Sequence, residues 1–230
     1  MVRCWLACVL LALAGATGTG AAAQDKKSAP WGAVVQGAAP QAVANAQNLT
    51  PRQLELVRQV NAYFNRLTML RGSFVQTAAD GKRQRGLFHL ARPGRFRFEY
   101  APPSRTVVLS DGKYVAVQDY DLNTDDRTDL NQTPFRALLQ KDVDLLRDAQ
   151  CSEVSETADT ISLVFTDLRA EAGGKVTLFL ATKPILQVKA WITKDNQGLD
   201  TRIELADLET VESIDQRLFD PAARIERKKW

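Results

Sequence analysis

One histidine, His89, serves all 230 residues of the chain. That scarcity excludes a histidine-rich metal site, and a serine or cysteine triad would hang on this single ring. Cysteine is almost as rare: Cys4, Cys8 and Cys151 are the three. The first two fall in a segment read below as a cleaved signal, which leaves Cys151 alone and an internal disulfide impossible. Its surroundings, "DAQCSEVSE", are acidic and supply no base, so it reads as a partly buried bystander. Neither sign of charge dominates, since 30 basic and 27 acidic residues leave +3 and no long-range pull on polyanions. The apolar run "CWLACVLLALAGA" dissolves into Gly, Ala and Thr before the ~18 residues needed to span a membrane. The aspartate-rich stretch "DYDLNTDDRTDL" lacks the glycine and terminal glutamate of an EF-hand loop. No carboxylate pair sits in a context diagnostic of glycoside hydrolysis. No catalytic residue is assigned, and neither a metal nor a cofactor is expected.

What is present begins with an export signal. Arg3, the apolar run and "AAA" at 21–23 form the n-region, h-region and cleavage site of a secretory peptide, so the mature chain is expected to start at Gln24 and to be soluble. Residues 24–48, rich in Ala, Gln, Gly and Pro, read as a flexible leader. One domain is expected over 49–225, with a short tail at 226–230.

That domain opens on a helix signal: Thr50 as N-cap, Pro51 at the first helical position and Gln53 completing a capping box. Leu56, Val57, Val60, Tyr63, Phe64, Leu67 and Leu70 recur at helical spacing. After Gly72 the period becomes two. Strands are expected in "SFVQT", "GLFHLA", "RFRFEY", "TVVLS" and "KYVAVQD", then in "ISLVFT", "KVTLFLA", "ILQVKAWIT" and "LDTRIEL", about nine in an antiparallel meander. "RPGR" suits a type II turn with Pro93 second and Gly94 third. Between the two strand series, Thr133 and Pro134 announce a short apolar helix carrying Phe135, Leu138, Leu139, Val143, Leu145 and Leu146.

On "RFRFEY" alternation sends Phe96, Phe98 and Tyr100 to one face and Arg95, Arg97 and Glu99 to the other. That separation weakens a nucleic-acid reading of Lys82, Arg83, Arg85, Arg92, Arg95 and Arg97, because a base stacked on Phe98 would not meet Arg97. "TVVLS", "ISLVF" and "VTLFL" are apolar on both faces, so both sides of the sheet are covered. A small barrel filled by its own side chains and one holding an apolar ligand both satisfy this pattern.

From "GSFVQT" through "GLFHLARPGRFRFEYAPPSRTVVLSDGKYVAVQDYDLN", then "QTPFRALL", "LQVKAWITKDNQGLDTRIEL" and "LFDP", the chain resembles the family of periplasmic outer-membrane lipoprotein carriers, LolA. The resemblance covers roughly residues 52 to 221. It implies an α+β, mostly antiparallel β fold: an unclosed, strongly curved β-barrel with a helical lid over an apolar cavity. It also implies a chaperone that takes triacylated lipoproteins from an inner-membrane lipoprotein-releasing ABC transporter, carries them across the periplasm as a monomer and delivers them to an outer-membrane receptor. Gln24, where the lipid-modified receptor would have cysteine, aligns the chain with the soluble carrier. The family arginine that latches the lid falls on Arg92, beside Pro93 and Gly94; read alone, Arg92 is a solvated turn residue. Phe96, Phe98 and Tyr100 are expected to line the acyl-chain cavity with Phe88, Leu90, Val107 and Leu109, and Phe135, Leu138 and Leu139 fall on the lid. His89 and the long leader depart from the family pattern. An exported binder or envelope sensor of the same fold with another apolar ligand is the alternative, and an enzyme acting on lipid or glycan is a third reading.

Overall fold

Thr50 accepts a hydrogen bond from the Gln53 N–H while the Gln53 side chain reaches back to the Thr50 N–H, and this reciprocal cap starts helix α1, Pro51–Arg66. The computed structural model describes residues 48–169, 174–195 and 197–223. The expected signal peptide, nearly all of the leader, and the 226–230 tail lie outside those residues. Leu56, Val57, Val60 and Phe64 form the buried stripe of α1.

Among the described residues eleven strands make one antiparallel sheet. They are β1 (Met69–Thr77), β2 (Arg83–Ala91), β3 (Arg95–Tyr100), β4 (Thr106–Asp111), β5 (Tyr114–Asp119), β6 (Thr124–Asp129), β7 (Ala149–Glu156), β8 (Thr160–Asp167), β9 (Lys175–Ala181), β10 (Gln187–Lys194) and β11 (Asp200–Thr210). Their order across the sheet is β6-β5-β4-β3-β2-β1-β11-β10-β9-β8-β7. The first and last strands do not pair, so the barrel is unclosed. Of the eleven, the two that the pattern of apolar residues failed to announce are these edges, "TDDRTD" and "AQCSEVSE". An edge strand packs on fewer neighbours and carries charge against further pairing, so it lacks the apolar run that marks an interior strand.

Register shifts between Ala206 and Glu209, between Cys151 and Glu153 and between Val188 and Ala190 bend β11, β7 and β10. Bulges add local twist, and the sheet curls around α1. At the β10 bulge the Val188 N–H donates to the Tyr63 hydroxyl at 3.2 Å, which ties the helix to the concave face. The opposite end of α1 is held to β7: Gln53 donates to the Val154 carbonyl, and Arg52 pairs with Glu156.

Between β6 and β7 the chain enters the concavity. A 3-10 turn at Leu130–Gln132 precedes α2 (Arg136–Leu139) and α3 (Leu145–Asp148). Thr133 does not cap α2 as expected; its hydroxyl turns back to the Leu130 carbonyl, and Phe135 occupies the cap position without a side-chain bond. The apolar segment is split because Asp144 caps a second short helix through the N–H groups of Leu146 and Arg147.

Two of the three charged residues of β3 are not in water. Arg97 and Glu99 are 2% and 8% exposed and form an ion pair at 3.2 Å. A strap at the C-terminal end, containing the 3-10 turn Gln216–Phe219, crosses their face of the strand. Leu218 offers its carbonyl to Arg97, and Pro221 offers its own to Gln118. Beneath the strap Val107, Leu109 and Ala116 make a small core of their own with Tyr120.

Candidate functional site

Phe88 and Leu90 of β2, Phe96, Phe98 and Tyr100 of β3, and Phe135, Leu138 and Leu139 of the α2 segment converge on a cavity of about 140 Å³. Val107 and Leu109 do not line it. Phe98 pairs with Val108 across the β3–β4 ladder while Arg97 pairs with Leu109 and Glu99 with Val107, so Val108 faces inward and its two neighbours face the strap. An apolar stretch such as "TVVLS" has no alternation to set its phase; the partner strand sets it. His89 lies between two cavity residues on β2, and the same alternation places it on the convex face beside Arg97.

Sequence reasoning left out the other half of the wall. Leu70, Leu178, Val188, Trp191, Ile203 and Leu205 bring β1 and β9–β11 into the lining, and Phe64 and Leu67 contribute from α1. Trp191 matters most for the lid: its ring meets Phe135 at 5.8 Å and Phe98 at 6.1 Å, both edge-on. Phe98 in turn stacks on Phe88 and meets Phe74 and Phe96 edge-on. A chain of rings therefore runs from the lid across the cavity to the far wall, with centroid spacings in the range of attractive aromatic pairs. "KAWIT" lies on an ordinary alternating strand, and only the ladder shows which wall Trp191 completes.

The lid is held at both ends. At its C-terminal end Arg92 donates to the Gln140 carbonyl and, at 3.5 Å, to the Leu67 carbonyl that ends α1. The adjacent Gly94 N–H donates to the Leu139 carbonyl at 2.8 Å. The turn that presents these donors is not type II. The Arg92–Pro93 peptide is cis and the Arg95 N–H bonds to the Pro93 carbonyl. Gly94 does have the expected positive φ, 71°, and a Cβ there would stand 2.8 Å from the Gly112 Cα. Burial lowers the pKa of Arg92, and its Nε has no hydrogen-bond partner among the described residues. At the other end the buried Arg136 pairs with Asp167 at 2.8 Å, and Asp167 also accepts from the Ala137 N–H.

This arrangement provides a partly open, nearly all-apolar space and a cover fixed by a few polar bonds. Residues 65–222 match the family described as outer membrane lipoprotein carrier protein LolA. An outer-membrane lipoprotein carrier protein of Chromobacterium violaceum is 37% identical over 75 residues, which span 31% of this chain and 36% of that one. One from Methylococcus capsulatus is 28% identical over 187 residues, spanning 80% and 86%. A crystal structure of a LolA superfamily protein from Nitrosomonas europaea covers 71% of this chain and 97% of its own, with 12% identity and a TM-score of 0.40.

Proposed function

Because the chain belongs to the LolA family of outer membrane lipoprotein carrier proteins, we propose that it is a soluble periplasmic chaperone, exported by a cleaved signal peptide, that shields lipoprotein acyl chains beneath α2. It receives triacylated lipoproteins from an inner-membrane lipoprotein-releasing ABC transporter and passes them to an outer-membrane receptor. The observation that carries this reading is the apolar cavity closed by a lid that Arg92 and Gly94 hold.

The cavity volume describes a closed state. Its roughly 140 Å³ compares with an engineered apolar cavity of about 150 Å³ that accepts benzene. A long acyl chain is far larger, so loading requires α2 to move and the Phe135–Trp191 contact to break. Energetics make the same demand. Each methylene removed from water contributes about 0.8 kcal/mol, so a chain of roughly sixteen carbons contributes on the order of 12 kcal/mol. Three such chains would pass the practical affinity ceiling of about 18 to 21 kcal/mol, and a carrier that tight would not unload. Opening the lid costs the Arg92 and Gly94 hydrogen bonds and uncovers apolar surface. This lowers net affinity, so transfer to a better-binding receptor runs downhill without a nucleotide.

Arg92→Leu tests the latch. The variant is expected to load normally but to release its cargo to receptor-bearing acceptor membranes roughly ten- to a hundredfold more slowly, the equivalent of lost charged hydrogen bonds. Release at the wild-type rate would remove the latch from the mechanism. The cargo itself is tested by native mass spectrometry of protein purified from its own envelope, where a triacylated polypeptide is expected and a free lipid would refute the assignment.

A further inference from the structure

The wall of the cavity carries very few polar groups, and one is left incomplete. Gln76, near the end of β1, lines the cavity and is 5% exposed. Its Oε1 accepts from the Tyr100 hydroxyl. Its Nε2 meets no acceptor among the described residues. The threonines nearby differ: Thr133 donates to the Leu130 carbonyl, and Thr193 to the carbonyl of Thr201, its ladder partner. Two N–H donors without an acceptor among the described residues thus belong to a side chain that lines the cavity, between aromatic and aliphatic neighbours. An acceptor for Tyr100 alone would not need them.

We propose that the Gln76 amide is a hydrogen-bond donor for an ester or amide carbonyl of the acyl ligand. A hydrocarbon tail has no acceptor; the carbonyl that joins it to its head does. Gln76 would therefore recognise the linkage of the ligand, not its chain. The position also orients the ligand. Gln76 pairs with Gln84 at one end of the β1–β2 ladder, while Met69 pairs with Ala91, next to Arg92, at the other. Along a strand those two ends are roughly 23 Å apart. The linkage then lies toward the end where β10 turns into β11, and the tails extend toward the latch. Tyr100 holds the amide in place through its oxygen, which leaves both donors directed to the ligand.

This inference rests on the carrier reading, so its test uses probes that separate the two. The probes are a diacylglyceryl-cysteine peptide, its dialkyl ether counterpart of equal chain length, and a phospholipid with the same acyl chains. Wild-type protein is expected to bind the ester peptide about tenfold more tightly than the ether. Gln76→Met is expected to bring that ratio to about one while leaving ether affinity unchanged. A second measurement needs no variant: a ¹³C-labelled ester carbonyl bound to wild-type protein is expected to show the infrared stretch of a hydrogen-bonded group. Equal affinity of wild type for ester and ether, an ester preference that survives Gln76→Met, or a carbonyl band at the free frequency would each overturn the Gln76 contact while the carrier reading stands. Failure to bind any probe would overturn both. Binding of the phospholipid but not the peptide, with the Gln76-dependent ester preference intact, would keep the contact and refute the lipoprotein cargo.

Discussion

A Cβ added at Gly86 would lie 2.2 Å from the Glu99 carbonyl oxygen and 2.5 Å from the Phe74 ring. Backbone on one side and a buried aromatic on the other leave nothing flexible to yield. Gly86→Ala is expected to destabilise the fold by about 1 to 3 kcal/mol, read as a lower urea midpoint at unchanged slope. Cys151 is the opposite case, a group shielded and not crowded. Burial, with a smaller contribution from Asp144, pushes its thiol up to about 12. A raised folded-state pKa gives stability that is present below the unfolded value of about 8.5 and is lost as pH rises toward the folded one. The folded protein is expected to resist iodoacetamide at neutral pH and to be alkylated once denatured; fast labelling of the native state would contradict the burial. At this scale the sequence was legible where local chemistry decides, as in the Thr50–Gln53 cap and the left-handed Gly94. It was silent on Gln76, because a glutamine on a strand looks like any solvent-facing residue until its ladder partners show where it points.

At the scale of elements, the lid depends on a carboxylate far away in sequence. Asp167, at the end of β8, neutralises the buried Arg136 and accepts the Ala137 N–H. Asp167→Asn would leave Arg136 buried without a counter-charge, at a cost of about 3 to 5 kcal/mol. A lower melting temperature is expected, together with a red shift of tryptophan emission. Trp191 is the one of the four tryptophans in the sequence that lies among the described residues, and it rests against the lid through Phe135. Unchanged emission and melting would mean that the Arg92 end alone holds α2. Interior strands were readable from their apolar alternation. The two edges were not, nor was the strap, whose burial of Arg97 and Glu99 depends on contacts across more than a hundred residues of chain.

For the molecule as a whole, occupancy and stability are linked, since a ligand that binds only the folded state stabilises it. At a free concentration a hundredfold above Kd the gain is about 2.7 kcal/mol. For a domain of this size that corresponds to a rise of roughly 5 to 11 °C in melting temperature. The diacylglyceryl-cysteine peptide is expected to produce such a shift, and its absence at saturating concentration would count against the cavity as a binding site. The unpaired edges of the sheet bear on how much the cavity can hold. In a closed barrel, strand number and stagger set the girth. Here β6 and β7 meet no such condition, and the wall has a seam. A seam lets the sheet unroll slightly without breaking any ladder bond, so the internal diameter can follow the girth of the cargo and is not fixed by a strand count.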